Sequence, residues 1–311
     1  IASGFAGNIL VMNNLFGLNA IIATLITLGI VITYLLIGGF STMVRTDIFQ
    51  MGVVILILIA PFIIVKPEHI SFAFKGGTLS KELLFTIIYF MVINIFPVSL
   101  WHKMIAARNA KIAKKSILYY GLGLLLFSIP MTFLSFSIKA QIPSATVDNA
   151  FFMGFSQLLP AGFNVLALII LYAAIMSSID TGIFGLGVMS ARNLFRSEKL
   201  VRKTKLYMIL FTVVAAFISI EISSLVSFMI GLSGLMGVFV PLFLTGIYTT
   251  IDDNVGAIAL LVGVATFALI KILPFFSQSI IYSLLPTVTA ALSLGIYYIS
   301  QNDRRKMKKS T

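Results

Sequence analysis

Apolar runs of about twenty residues follow one another along most of the 311-residue chain, parted by short polar breaks. Each run is long enough to cross the roughly 30 Å hydrocarbon core of a bilayer as a helix. Breaks placed at the polar clusters predict spans at 18–37, 46–65, 83–107, 117–140, 161–194, 205–222, 223–248, 255–273 and 279–300. Within lipid the backbone has to satisfy its own hydrogen bonds, which runs of this length do as helices rather than as barrel strands. A further apolar stretch over 1–12 ends at Asn13-Asn14 and is too short to span. The fold class is therefore an all-α integral membrane protein, with about nine complete spans and one partial N-terminal span.

That partial span begins at Ile1, not Met, and lacks the charged start of a signal peptide. It reads as the tail of a helix whose beginning lies outside this sequence. The chain is then the C-terminal portion of a larger protein, and the missing N-terminal helices are its first partner.

Composition supports the membrane reading. Hydrophobic residues make up 59% of the chain and charged ones 10%, well below the share in soluble domains. The net charge of +12 raises the possibility of nucleic acid, but its distribution excludes it. Lys and Arg, counted over alternate loops, fall seventeen on one side and five on the other, and the rich side is cytoplasmic. This places the protein in a plasma (inner) membrane with residues 301–311 as a basic cytoplasmic tail. Cysteine is absent, which removes disulfides and thiolate metal sites, and His69 and His102 are too far apart to begin a metal cluster.

Two spans are irregular. Asn94, Pro97 and Ser99 interrupt 83–107. Pro97 removes a backbone donor and reads either as a plain kink or as a mid-membrane break that frees backbone groups for a ligand. Gly231, Gly234 and Gly237 space the span 223–248, allowing either close helix packing or a flexible gating helix. Outside the membrane, 144–160 is polar enough for a short external helix, with Pro160 suited to the first turn of the span that follows.

The chemistry concentrates between Ala173 and Gly182, where Ser177, Ser178, Asp180 and Thr181 bring three hydroxyls and a carboxylate to membrane depth. An ionisable group there is costly and marks an ion or substrate path. Ala174, Ser177 and Ser178 share one helix face, so a carbonyl and two hydroxyls lie in a small arc suited to a hard monovalent cation. Ser177, Asp180 and Thr181 repeat the arrangement one turn on, now with a carboxylate. The plainer reading of the serines is hydrogen bonding to the preceding turn. Upstream, Gly38-Gly39 closes one span and permits a sharp turn. Thr46 or Asp47 then caps the next helix, and Arg45 and Asp47 form a surface pair. No nucleophile–base pair, metal cluster or phosphate loop appears, so an enzyme is disfavoured and no cofactor is expected.

Three segments together resemble the sodium:solute symporter family. Gly38-Gly39-Phe40 with Thr46-Asp47 and Gln50 is similar to the start of that family's fifth core helix. Ala173 to Thr181, followed by Ser190-Ala191-Arg192-Asn193-Leu194, resembles its eighth. Ala106-Ala107-Arg108-Asn109 with Lys111, Lys114 and Lys115 resembles the segment after its sixth. The resemblance implies a LeuT-type inverted-repeat bundle in one transporter domain. Residues 1–65 would end the first repeat, 83–248 form the second, 255–300 add peripheral helices, and core helices one and two would lie upstream. It further implies sodium as coupling ion. One sodium would be held by the Ala174 carbonyl with Ser177 and Ser178. A second sodium, or a release path, would involve Asp47, Asp180 and Thr181 with Ser177. Asn94, Phe96 and Ser99 fall where substrate is lined, and Phe96 speaks against a sugar-like solute. His102-Lys103 and Asn193 depart from the family's Gln-Arg and late acidic residue.

The expected function is sodium-coupled symport of a small polar solute by alternating access. The alternatives are a symporter-like membrane sensor or interaction module, or a truncated fragment without transport of its own.

Overall fold

The computed structural model describes residues 1–57, 59–65, 104–146, 148–193, 200–272 and 284–310. The helices are α1 (Ala2–Phe16), α2 (Ala20–Ile57), α3 (Ile59–Ile64), α4 (Ala110–Gln141), α5 (Ala150–Leu158), α6 (Phe163–Asn193), α7 (Leu200–Ile220), α8 (Leu225–Gly237), α9 (Phe239–Tyr248), α10 (Asp253–Ile272) and α11 (Leu285–Ser310). Among the described residues, six helical stretches are long and apolar enough to cross a membrane. They present Leu and Ile outward, as Leu124, Leu125 and Leu126 do on α4. The chain is a multi-pass helical membrane protein.

It divides into two compact units, one of which holds the described residues up to Val226 and the other those from Ser227 onward. In the first unit α6 is the central post, packed by α1, α2, α5 and α7. Phe5, Val31, Ile179 and Ile183 have no exposed surface and form the middle of this core. A second cluster joins Val11, Leu134, Ile138 and Phe155. In the second unit α10 packs on α11, with Ala259 and Leu294 at the contact.

Close packing of α6 on α7 depends on Gly187. A Cβ there would lie 2.6 Å from Met208 Cγ and 3.2 Å from the Thr204 carbonyl oxygen. Met208 can turn aside, but the Thr204 backbone cannot. Gly187→Val is expected to lower stability by about 1–3 kcal/mol through overpacking, read as a lower thermal midpoint in detergent.

Several boundaries differ from the sequence expectation. α1 continues through Asn13-Asn14 to a left-handed cap at Gly17, φ 66°. The two amides find carbonyls, Asn14 at Leu10 (2.8 Å) and Asn13 at Leu18 (3.1 Å), so neither breaks the helix. Nor does Thr46 or Asp47 cap a helix. The helix resumes directly after Gly39, and Thr46 donates back to the Met43 carbonyl at 2.8 Å. The expected start at 117 moves back to the cap Asn109, whose side chain accepts from the Ile112 amide at 2.9 Å. Lys111, Lys114 and Lys115 therefore ride on the first turns of α4, where long stems reach polar surroundings. Pro160 precedes α6 and accepts from the Phe163 and Asn164 amides instead of lying in its first turn. The external segment does contain a helix, α5. The glycine-spaced span divides at Val238, just past Gly237. The helix of the tail, α11, runs on to Ser310.

Candidate cation site

The site is built by one reversal of the chain. Gly39 carries φ 59° and ψ −160°, a conformation that only glycine adopts readily. Before it, α2 runs alongside α6. Thr27 meets Tyr172, their hydroxyls 3.3 Å apart, and Tyr34 meets Asp180. After it, Asp47 meets Ser177, a turn back along α6. Asp47 also nears Thr181, so its contacts bracket Asp180 and both halves of α2 meet α6 at the same level, which requires the chain to double back between them. The expected sharp turn at Gly38-Gly39 is what brings Tyr34 and Asp47 to one stretch of α6.

Asp180 is completely buried. The Tyr34 hydroxyl donates to its Oδ2 at 2.7 Å, and the Thr181 amide and hydroxyl donate to Oδ1, the hydroxyl at 3.3 Å. A carboxylate removed from water needs such donors, because an unpaired one is costly. Asp47 accepts from the Ser177 hydroxyl at 2.6 Å and lies 3.5 Å from the Thr181 hydroxyl. Thr181 thus stands between two carboxylates with one hydrogen to give. A hydroxyl is also a rotor with two lone pairs, so Ser177 and Thr181 can turn from donating to Asp47 to presenting oxygen to a cation. Carboxylate and hydroxyl oxygens are the ligands that hard cations prefer.

The structure therefore joins Ser177, Asp47, Asp180 and Thr181 into one cluster. Ser178 lies apart from it, on the exposed flank of α6, and Ala174 is half-buried. Ser177 belongs to the carboxylate cluster by its hydrogen bond, although sequence also grouped it with Ala174 and Ser178. Asn94, Phe96 and Ser99, with Pro97, His102 and Lys103, lie outside the described residues. The side chain of Asn193 does as well.

Sequence reading missed Tyr34. A signal for it exists: Thr24, Thr27, Val31 and Tyr34 recur at helical spacing, and the first three are buried. Three hydroxyls on one stripe of an otherwise apolar span mark the face that meets α6.

No family model matches the chain, and no curated protein matches it by sequence. Its architecture matches a solved structure, the substrate-bound outward-open state of a Na+-coupled sialic acid symporter described as revealing a novel Na+ site. The TM-score is 0.71 at 17% sequence identity, over 94% of this chain and 69% of the other. The two chains share a fold. At that identity the likeness speaks for architecture, and it agrees with the all-helical membrane class expected from sequence.

Proposed function

We propose that the protein is a sodium-coupled symporter that carries a small polar solute across a membrane by alternating access. The observation that carries this reading is the cluster of half-buried Asp47 and Ser177 with buried Asp180 and Thr181, assembled by the Gly39 reversal. It supplies hard oxygen ligands at membrane depth, within a fold shared with a Na+-coupled symporter.

Asp47, Ser177 and Thr181 are the proposed ligands of one sodium. Asp180, held by Tyr34 and Thr181, stands behind them as fixed negative charge. A second sodium would use the Ala174 carbonyl and the Ser177 and Ser178 hydroxyls. Ser178 faces outward from the described part of α6, as a ligand shared with another helix would. That helix is proposed to belong to the first repeat, upstream of Ile1, with 83–248 forming the second repeat and Asn94, Phe96 and Ser99 lining the solute path.

Coupling follows from linkage. If sodium stabilises the state that binds solute, solute tightens sodium binding by the same factor. Arg and Lys counts put the C-terminal tail in the cytoplasm on this reading.

The test is uptake of a radiolabelled solute panel into proteoliposomes holding the complete protein, with and without an inward sodium gradient. At least one polar solute is expected to accumulate only with the gradient. Ser178→Ala is expected to raise the half-saturating sodium concentration about tenfold, the equivalent of about 1.4 kcal/mol, with yield unchanged. Gradient-independent entry of every solute overturns the reading.

A further inference from the structure

One turn beyond Asp180 along α6 lies a cavity of about 290 Å³ that the cation cluster does not use. Leu35, Phe184, Val188 and Met208 form its walls, with Gly39 on one side. Lys205 also lines it, and Lys205 is exposed, so its ammonium stands at the opening. Arg202, exposed as well, neighbours Lys205 one turn back on α7, beside the cavity's lining rather than in it. A slot with apolar walls, a lysine at its opening and an arginine one turn away has two chemistries in fixed order.

We propose that this cavity binds an anionic phospholipid. One acyl chain fills the slot, and the phosphate lies between Arg202 and Lys205. Three observations select this occupant. The walls offer almost no polar partner, so a polar solute would lose its hydration there without return. The cavity belongs to a membrane-spanning segment, where acyl chains are the abundant apolar ligand. The rim charge is positive, and by the Lys and Arg distribution this end of α7 faces the cytoplasmic leaflet, where anionic lipids concentrate. A lipid seated here would touch Gly39 and Phe184, bracing the reversal that positions Tyr34 and Asp47. The proposal does not depend on the transport reading.

Native mass spectrometry of the full chain, titrated with phosphatidylglycerol or phosphatidylcholine in detergent, tests it. One phosphatidylglycerol is expected to be retained in preference to phosphatidylcholine. Removing both charges, Arg202→Gln with Lys205→Gln, is expected to weaken retention about thirtyfold, at roughly fivefold for each cation near a membrane surface. Val188→Trp fills the slot and is expected to abolish retention with the rim charges intact. Should that variant not fold, Val201→Trp at the exposed rim serves instead. Equal retention of both lipids, undiminished retention by the double variant, or equally tight binding of glycerol 3-phosphate overturns the proposal.

Discussion

Asp47→Asn is expected to lower sodium affinity about thirtyfold or more while leaving the fold in place. Asparagine keeps an oxygen for the Ser177 hydroxyl, which now donates to Asp47 at 2.6 Å, so the α2–α6 contact survives. What disappears is the negative charge. Two unit charges about 4 Å apart attract by about 4 kcal/mol at the effective dielectric of protein sites. Even half of that, after the cost of stripping water from the ion, corresponds to about thirtyfold, and direct coordination is closer than 4 Å. Sodium-dependent uptake and sodium-induced thermal stabilisation are both expected to be lost together. If Asp47→Asn keeps the parent's sodium dependence, the carboxylate is not a ligand and the cation reading of the cluster fails.

The second large effect belongs to Gly39. Gly39→Val places a β-branched residue at φ 59°, ψ −160°, where strain of about 1–3 kcal/mol is general and β-branched side chains are rarer still. The helix can relieve it only by straightening, which pulls Tyr34 from Asp180 and Asp47 from Ser177 at once. The expected outcome is loss of monodisperse protein and a thermal midpoint lowered well beyond what one strained residue causes. Gly29 in the same helix is the control. It is exposed with regular helical backbone, and no atom lies within 4 Å of a Cβ built there. Gly29→Ala is expected to be neutral or to stabilise by about 0.5–1 kcal/mol. A matching response at both positions would show that the reversal does not depend on glycine.

Much of this site is legible in the sequence. Asp180 stood out because a carboxylate inside a spanning helix has few bland explanations. Gly38-Gly39 stood out because paired glycines between apolar runs allow a turn. Asp47 was harder. Read locally it is a cap; the family resemblance joined it to Ser177, Asp180 and Thr181, and its placement against Ser177 removes the cap reading, since a cap depends on where a helix begins and hydropathy blurs that boundary. Tyr34 escaped because tyrosine is at home in a membrane helix, and one hydroxyl does not break an apolar run. The stripe of Thr24, Thr27 and Tyr34 becomes visible only when the helix is read by face. Asn13-Asn14 misled for the opposite reason. Asparagine looks like an ending in a hydropathy trace, yet each side-chain amide reaches a backbone carbonyl, at Leu10 and Leu18, and the helix continues past them.

The reversal at Gly39 also limits how the first unit can move. Since α2 touches α6 before the reversal and again after it, both halves of α2 are fastened to one stretch of α6, by Tyr34–Asp180 and by Asp47–Ser177. A shift of α6 alone would have to break both fastenings. These spans are therefore bound to travel as a single lever, and the flexing that any shuttling cycle demands must be found in joints elsewhere in the molecule.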